Sequence, residues 1–428
     1  MARTEQRAIQ VWVDWDGLPD PQLMGFLHAT PARGKEIFSF DYDPDWLASR
    51  HREEVDPELQ LFDGPQYPHQ TRPNFGVFLD SSPDRWGRVL MQRREDREAR
   101  KEGRPRRNLL ESDYLLGVHD QHRIGGLRFK TSSKGPFLDD RKDLTAPPIT
   151  SLRDLEYASL QLEQEGAEDK KEYDRWLRML IAPGASLGGS RPKASVIDSD
   201  NALWIAKFPS CRDDLDIGAW EMVVYLLAMR CGIEMAPAQA RTFNTDRHTF
   251  LSKRFDRTDE GSRIHFASAM TLLGRSDGDD HAAGASYLEL ADFIIRNGAE
   301  PDRDLEQLWR RIVFFICVSN SDNHLRNHGF LQVPGHGWRL SPAYDVNPSL
   351  YATGLLLNIS ETDNALDLDL AYSVAPLFRV KDAKASDIVT LVTREVRGWR
   401  RLAEGMKIGR AECDRMAPAF RVADSGHA

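Results

Sequence analysis

Cysteine is scarce: Cys211, Cys231, Cys317 and Cys413 are the only four in 428 residues, and they stand far apart without CxxC spacing. That scarcity argues against a disulfide framework and against a thiolate zinc centre. The histidines do not replace them. His281, His324, His328 and His336 show no HExxH spacing, so a histidine metal site stays a formal alternative only. No uncharged run approaches the length of a membrane span, and the opening MARTEQRAIQVWVDWDG lacks an apolar h-region. A cytoplasmic protein with no membrane contact is therefore expected. Positive charge is not in excess either, since 57 basic against 66 acidic residues leave a net charge of -9 and a pI near 5.8. The whole chain is thus no general nucleic-acid binder, although a local basic patch stays open. Internal repeats and low-complexity segments are absent.

What is present is a globular composition. With 41% hydrophobic residues, 10 Trp and 19 Phe, the chain can bury enough apolar surface to offset its conformational entropy. Its length fits two or three packed units. The first hundred or so residues read as a small α+β module. AIQVWVDW and MGFLHAT predict strands around the turn DGLPDP, and DRWGRVLMQRREDREARKEG predicts a helix. From Arg85 to Arg107 ten Lys or Arg face four acids, which describes either a solvated helix face or a phosphate-binding surface. LTAPPITSLRDLEYASLQLEQ reads as a Pro-marked linker into an amphipathic helix, with Ser151 a candidate N-cap.

Beyond that linker a glycine-rich loop, strands, and the helix IGAWEMVVYLLAMRCG give way to a mostly helical half, apart from strand-like HGFLQV and GWRLSPAYDV. A sheet-rich half followed by a helical half predicts two lobes with a cleft between them.

Two stretches carry chemistry. GASLGGSRPKASV, Gly184 to Val196, clusters glycines whose backbone N–H groups can cradle phosphate oxygens, yet it has neither Walker A nor GxGxxG order. A plain surface turn remains the other reading. Downstream, Lys207 in LWIAKFPS could hold nucleotide phosphates or simply reach solvent. Glu221 interrupts the apolar AWEMVVYLL; a buried glutamate needs a partner, and Lys207 is a candidate. An exposed helix position is the alternative.

The second stretch is SNSDNHLRNHGF, Ser319 to Phe330, directly after the apolar IVFFICV. Phosphoryl transfer needs a carboxylate to orient the attacking hydroxyl and oxygen ligands for Mg²⁺. Asp322 could be the carboxylate, Asn327 a metal ligand five positions on, and Asp345 in LSPAYDVNPS the second. The Asp-x-x-x-x-Asn spacing follows the logic of a protein-kinase catalytic loop. His324 would brace that loop, and Arg326 would contact a phosphate. A helix that simply ends in a polar turn remains the bland reading.

In this order and spacing the motifs resemble the HipA family, the protein-kinase-like toxins of bacterial type II toxin–antitoxin systems. SLGGSRPKASV is similar to that family's glycine-rich loop, IAKFP to its nucleotide-lysine strand, and WEMVVYLLAMRCGIEMAPAQA to its N-lobe helix and following strand. KRFDR resembles the segment joining the lobes, SNSDNHLRNHGF the catalytic loop, and LSPAYDVNPS the metal-aspartate segment. FLDSSPDRWGRVLM and DYLLGVHDQHRIGGLRF resemble the N-terminal module.

The resemblance implies an α+β, protein-kinase-like two-lobed fold. It would comprise an N-terminal α/β subdomain (1–145), an N-lobe with the Gly-rich loop (146–258), and a mostly helical C-lobe (259–428). It implies Asp322 as catalytic base with His324 and Arg326 beside it, and Asn327 and Asp345 as magnesium ligands. Ser186, Gly188, Gly189 and Lys193 fall in the nucleotide-binding loop. Lys207, Lys253 and Phe255 fall on nucleotide-binding segments. Ser186 matches a loop serine whose autophosphorylation switches such kinases off. Ser190, standing where a small apolar residue is common, is a second candidate acceptor. The implied activity is phosphorylation by ATP, with Mg²⁺, of serine or threonine in a protein, a translation component such as an aminoacyl-tRNA synthetase among the candidates. The implied partner is a HipB-like helix-turn-helix antitoxin, with DNA reached indirectly through it. A pseudokinase scaffold or co-repressor, and a small-molecule kinase of related fold, are the competing functions.

Overall fold

The computed structural model describes residues 6–142, 145–181 and 191–425. Packing divides the chain into two compact units: Met1–Cys211 with Lys253–Ala267, and Arg212–Ser252 with Ser268–Ala428. The backbone therefore passes from one to the other at 211/212, 252/253 and 267/268, a division that differs from the three modules drawn on sequence alone.

The first unit opens with a four-stranded antiparallel sheet of order β3-β2-β1-β4. Its strands are β1 (Arg7–Val13), β2 (Gln22–Ala32), β3 (Lys35–Tyr42) and β4 (Leu127–Lys130). Strict alternation in β1 buries Ile9, Val11 and Val13, and β3 does the same with Phe38, Phe40 and Tyr42. Those residues share one core with Leu27, Phe75, Phe78 and Phe129. Gly25 is required there, because a Cβ would lie 2.2 Å from the carbonyl oxygen of Asp41.

The expected helix forms over Arg85–Glu102, between the N-cap Asp84 and the left-handed C-cap Gly103 (φ 63°). Much of its basic charge is consumed locally. Glu95 is buried between Arg104 and Arg107, Asp174 holds Arg97 and Lys101, and Arg88 pairs with Glu111. The Arg104 hydrogen bond, opposed by burial, pulls the Glu95 carboxyl down to about 2.

The helices Leu152–Leu162 and Tyr173–Ile181 follow. Ser151 occupies the first one's N-cap position, but its side chain makes no cap hydrogen bond, because the preceding residues are wound into a 3₁₀ turn. The antiparallel pair β5 (Lys193–Ile197) and β6 (Leu203–Lys207) completes the unit's regular structure.

In the second unit the Ile217–Arg230 helix precedes the hairpin β7 (Ala238–Thr242) and β8 (His248–Lys253). The short β9 (Phe266–Ser268) carries the chain into the helical part. There the Pro301–Val318 helix is the centre: every side chain from Leu308 to Val318 is buried. Truncating one of its aromatics, Phe314 or Phe315, to alanine would cost about 3–5 kcal/mol. The hairpin β10 (Gly329–Val333) and β11 (Gly337–Leu340) packs beside it. Arg311, fully buried and pushed down to about 10 by burial, donates to the Ser341 carbonyl at 2.6 Å and so fastens the helix to the strand end. No helix among the described residues is long and apolar enough to cross a membrane.

Candidate active site

The loop after the Pro301–Val318 helix is shaped by its first residue. Ser319 ends the helix in the left-handed region at φ 51° and turns the chain away from the helix axis. The turn is then closed by short backbone bonds, Ser321 N to Ser319 O at 2.8 Å, His324 N to Asp322 O at 3.1 Å and Asn327 N to His324 O at 2.8 Å. Asn327 adds a staple of its own, its Nδ2 donating to the Asp322 carbonyl at 3.1 Å.

That staple has a chemical consequence. With Nδ2 engaged, Asn327 Oδ1 is left buried and without a hydrogen-bond partner among the described residues. Asp322 is exposed, and its carboxylate accepts no hydrogen bond among the described residues. Its pKa is raised, chiefly by partial desolvation; His324 opposes the shift, and the neighbouring Asp345 adds a smaller push upward.

Beneath the loop, Asn323 is buried and donates through Nδ2 to the Tyr287 hydroxyl (3.3 Å) and to His328 Nε2 (3.0 Å). Burial holds His328 neutral, its pKa pushed down to about 3, so an imidazole acceptor is available there.

The segment bearing Asp345 docks on this loop at three points. Tyr344 Oη donates to the Arg326 carbonyl at 2.6 Å, Asn347 N to Asn320 Oδ1 at 3.2 Å, and Ser349 N to the Ser319 carbonyl at 3.1 Å. Asp345 itself sits at φ 55°, a left-handed conformation uncommon for non-glycine residues and tolerated best by Asn, Asp and His. The second unit thus brings together Asp322, His324, Asn327 and Asp345. Arg326 reaches toward Asp277, 3.8 Å away, and its carbonyl is the loop's anchor. The Nδ1 of His324 is buried without a partner among the described residues.

Glu221 is buried on the Ile217–Arg230 helix of the same unit. The remaining expected residues lie in the first unit. Lys207 is half-buried at the end of β6, opposite Lys193 on β5. Two ammonium groups directly across a ladder repel, and an acid relieves this: Lys193, 2% exposed, forms an ion pair with Asp84 at 2.9 Å. Asp84 uses its other oxygen to cap the Arg85–Glu102 helix at Gly87 N, 2.8 Å. Lys253 pairs with exposed Asp259 at 3.0 Å, and Phe255 packs on Phe266. Ser186, Gly188, Gly189 and Ser190 lie outside the described residues.

Sequence reasoning missed Asn320, Asn323, Tyr287 and Asn347. Asn320 and Asn323 stand inside the quoted motif, but nothing in their spacing separates a buried bracket from an ordinary turn residue.

The donor set suits a hard divalent cation: two carboxylates and a buried amide oxygen that nothing else satisfies. No group of three or more His, Cys, Asp or Glu that could hold a metal occurs among the described residues, so an amide oxygen would have to complete any such site.

Residues 185–399, half of the chain, match the model of the HipA-like C-terminal domain. The chain is similar over 97% of its length to HipA in the complex of the Shewanella oneidensis toxin–antitoxin proteins HipA and HipB with operator DNA. That match has a TM-score of 0.64, 18% identity, and coverage of 96% of the solved chain. A Helicobacter pylori proinflammatory kinase, CtkA, aligns with 57% of this chain and 91% of its own at TM-score 0.43 and 14% identity. A curated Haemophilus influenzae protein with a provisional kinase name is 28% identical over 179 residues, 38% of this chain. The chain spans about half the length of that curated relative, 52%. The fold is therefore protein-kinase-like and α+β, as expected from sequence.

Proposed function

The chain belongs to the HipA-like C-terminal domain family, and from that premise we propose that it is an ATP-dependent serine/threonine protein kinase. Asp322 is the proposed base. It orients the acceptor hydroxyl and takes up its proton, a task helped by a pKa raised above the ordinary carboxylate value. Asn327 and Asp345 would hold Mg²⁺, which when bound neutralises charge on the nucleotide phosphates. Lys207 is the proposed phosphate lysine, with Glu221 as its proposed partner. Lys193 is left out of this group, since its ammonium already serves Asp84. Lys253 and Phe255 keep a nucleotide-binding role by family resemblance alone.

The observation that supports this reading best is the pairing of an exposed, unbonded Asp322 carboxylate with the unsatisfied Asn327 oxygen on one stapled turn. That unmet oxygen is a donor a divalent cation could use. Regulation is proposed by autophosphorylation at Ser186 or Ser190, and by a HipB-like helix-turn-helix antitoxin that would bring DNA. A cytoplasmic setting is proposed with it.

The test is incubation with Mg²⁺ and γ-labelled ATP, followed by mapping of the phosphate by mass spectrometry. Wild type should carry label on Ser186 or Ser190, and Asp322→Gln should lose about 10²–10⁴-fold in rate with its fold intact. Full activity in Asp322→Gln would end the assignment.

A further inference from the structure

The side-chain amide of Asn347 is held in a way that turn formation does not explain. Its Nδ2 donates to Asp345 Oδ1 at 3.4 Å. This fixes which way round the amide lies, because the reverse orientation would set an oxygen against the carboxylate. The other end, Oδ1, is buried and has no hydrogen-bond partner among the described residues. Its surface is closed to bulk water, so it bears the full desolvation of an unmade hydrogen bond.

Two features keep the amide from relaxing elsewhere. The Asn347 backbone N–H is bound by Asn320 Oδ1 at 3.2 Å, and two residues on, Ser349 N binds the Ser319 carbonyl at 3.1 Å. The segment is thereby clamped to the end of the Pro301–Val318 helix. On its other side, Tyr344 Oη ties it to the Arg326 carbonyl, one residue before Asn327. Asn327 is 5% exposed and shows the same condition: nitrogen engaged, oxygen orphaned. Three orphaned amide oxygens, those of Asn323 and Asn327 on one segment and Asn347 on the other, thus stand on segments that hydrogen bonds hold together, and each segment also bears a carboxylate, Asp322 or Asp345. Oxygen donors without sulfur match Mg²⁺ or Mn²⁺ better than zinc.

We propose that Asn347 is a further residue of the cation site, its Nδ2 orienting the Asp345 carboxylate and its Oδ1 serving the divalent cation or a water bound to it. The inference rests on the cation reading above and adds a donor that the Asp-x-x-x-x-Asn spacing and the later Asp do not include.

The experiment is a titration of the full chain with Mn²⁺ in the presence of a non-hydrolysable ATP analogue, free ion being counted by electron paramagnetic resonance. Asn347→Ala should bind Mn²⁺ roughly 10–100-fold more weakly than wild type. Asn347→Asp, which restores an oxygen donor but sets two carboxylates side by side, should keep the affinity. Its melting temperature should fall without metal and recover with Mn²⁺. Wild-type affinity in a folded Asn347→Ala overturns the proposal and leaves the kinase reading standing. Should Asn347→Ala fail to fold, Asn347→Asp decides: lost Mn²⁺ affinity there overturns it. If wild type itself binds no Mn²⁺ with the analogue, the cation reading falls and this inference with it.

Discussion

Two aspartates, one in each unit, show opposite ways of keeping a carboxylate in a folded chain. Asp256, in the first unit, is fully buried and fully satisfied. Arg254 Nε donates to one oxygen at 2.8 Å, while Gly125 N (2.9 Å), Arg257 (2.6 Å) and a second Arg254 nitrogen reach the other. Burial would raise its pKa, but the two guanidiniums and these hydrogen bonds hold it far below the carboxylate range. Asp322, in the second unit, is exposed, unbonded at its carboxylate among the described residues, and raised. The first arrangement has nothing left to bind. The second is a polar cluster in which Asn323, Asn327 and Asn347 are held by their nitrogens and open at their oxygens, and that residue of unmet demand is what separates a site from a structural network.

The comparison breaks if Asp256 proves dispensable. Asp256→Asn would leave the buried Arg254 and Arg257 without their counter-charge, and burial already presses Arg257 down to about 9 with the carboxylate present. A loss of about 3–5 kcal/mol is expected, read as a fall in the urea midpoint. Below that midpoint Mn²⁺ binding should be unchanged, in contrast to Asp322→Gln, which should spare stability and remove catalysis. A stable Asp256→Asn protein with weakened metal binding would reverse the two assignments.

Acid should act unequally on the two units. Each holds a fully buried histidine, His265 in the first and His328 in the second, and burial pushes both down to about 3. In the unfolded chain such groups titrate near 6.5. Between roughly 6.5 and 3 the unfolded state therefore binds protons that the folded state refuses, and stability is lost as pH falls, by about 2 kcal/mol per histidine at pH 5 relative to neutral. Asp56 runs the other way. Burial raises it to about 6, so the folded first unit takes a proton that the unfolded chain does not until near 3.8, and stability is gained as pH falls through 6. In the first unit the Asp56 gain offsets part of the histidine cost, to which His119, also lowered by burial, adds. Hydrogen exchange, corrected for intrinsic rates, should therefore accelerate between pH 7 and 5 in peptides covering Tyr287 and Asn323–His328 more than in β1 and β2. Equal acceleration would mean that His328 carries no such burden.

What could be read from sequence follows the same line. Asp322, Asn327 and Asp345 could be nominated from sequence because the roles proposed for them depend on residue type and on spacing within two short stretches. Asn347 was not, because its contact with Asp345 is seen only once the chain turns left-handed at Asp345 (φ 55°), a turn that Asp tolerates but that its presence does not require. Lys193 was assigned to the nucleotide-binding loop by resemblance alone; the ion pair it makes with Asp84, far upstream, is set only by folding. The ten basic residues of Arg85–Arg107 invited a surface reading for the same reason. Glu95 lies among them, but Asp174 and Glu111 lie outside the stretch, so a local tally overstated the charge left over. β1, β2 and the Arg85–Glu102 and Ile217–Arg230 helices were legible, since alternation and helical periodicity are local, whereas β3 and the Tyr173–Ile181 helix were not drawn from sequence.

The smallest predicted effect tests how the site is built. Tyr287 gives Asn323 one of its two acceptors, and His328 gives the other. Tyr287→Phe keeps the ring, and with it the edge contact to His328 at 5.5 Å between centroids, while deleting only the hydroxyl. If the bracket under the loop is a shared hydrogen-bond network, the loss should be about 1 kcal/mol in stability, since Asn323 retains His328. Phosphorylation should slow several-fold at saturating ATP, with the nucleotide KM unmoved, because the loop carrying Asp322 is loosened while the phosphate-holding groups are untouched. A stability change without any change in rate would make Tyr287 a packing residue only. A rate change with stability intact would mean that the bracket under Asp322 sets the aim of the carboxylate rather than the strength of the fold.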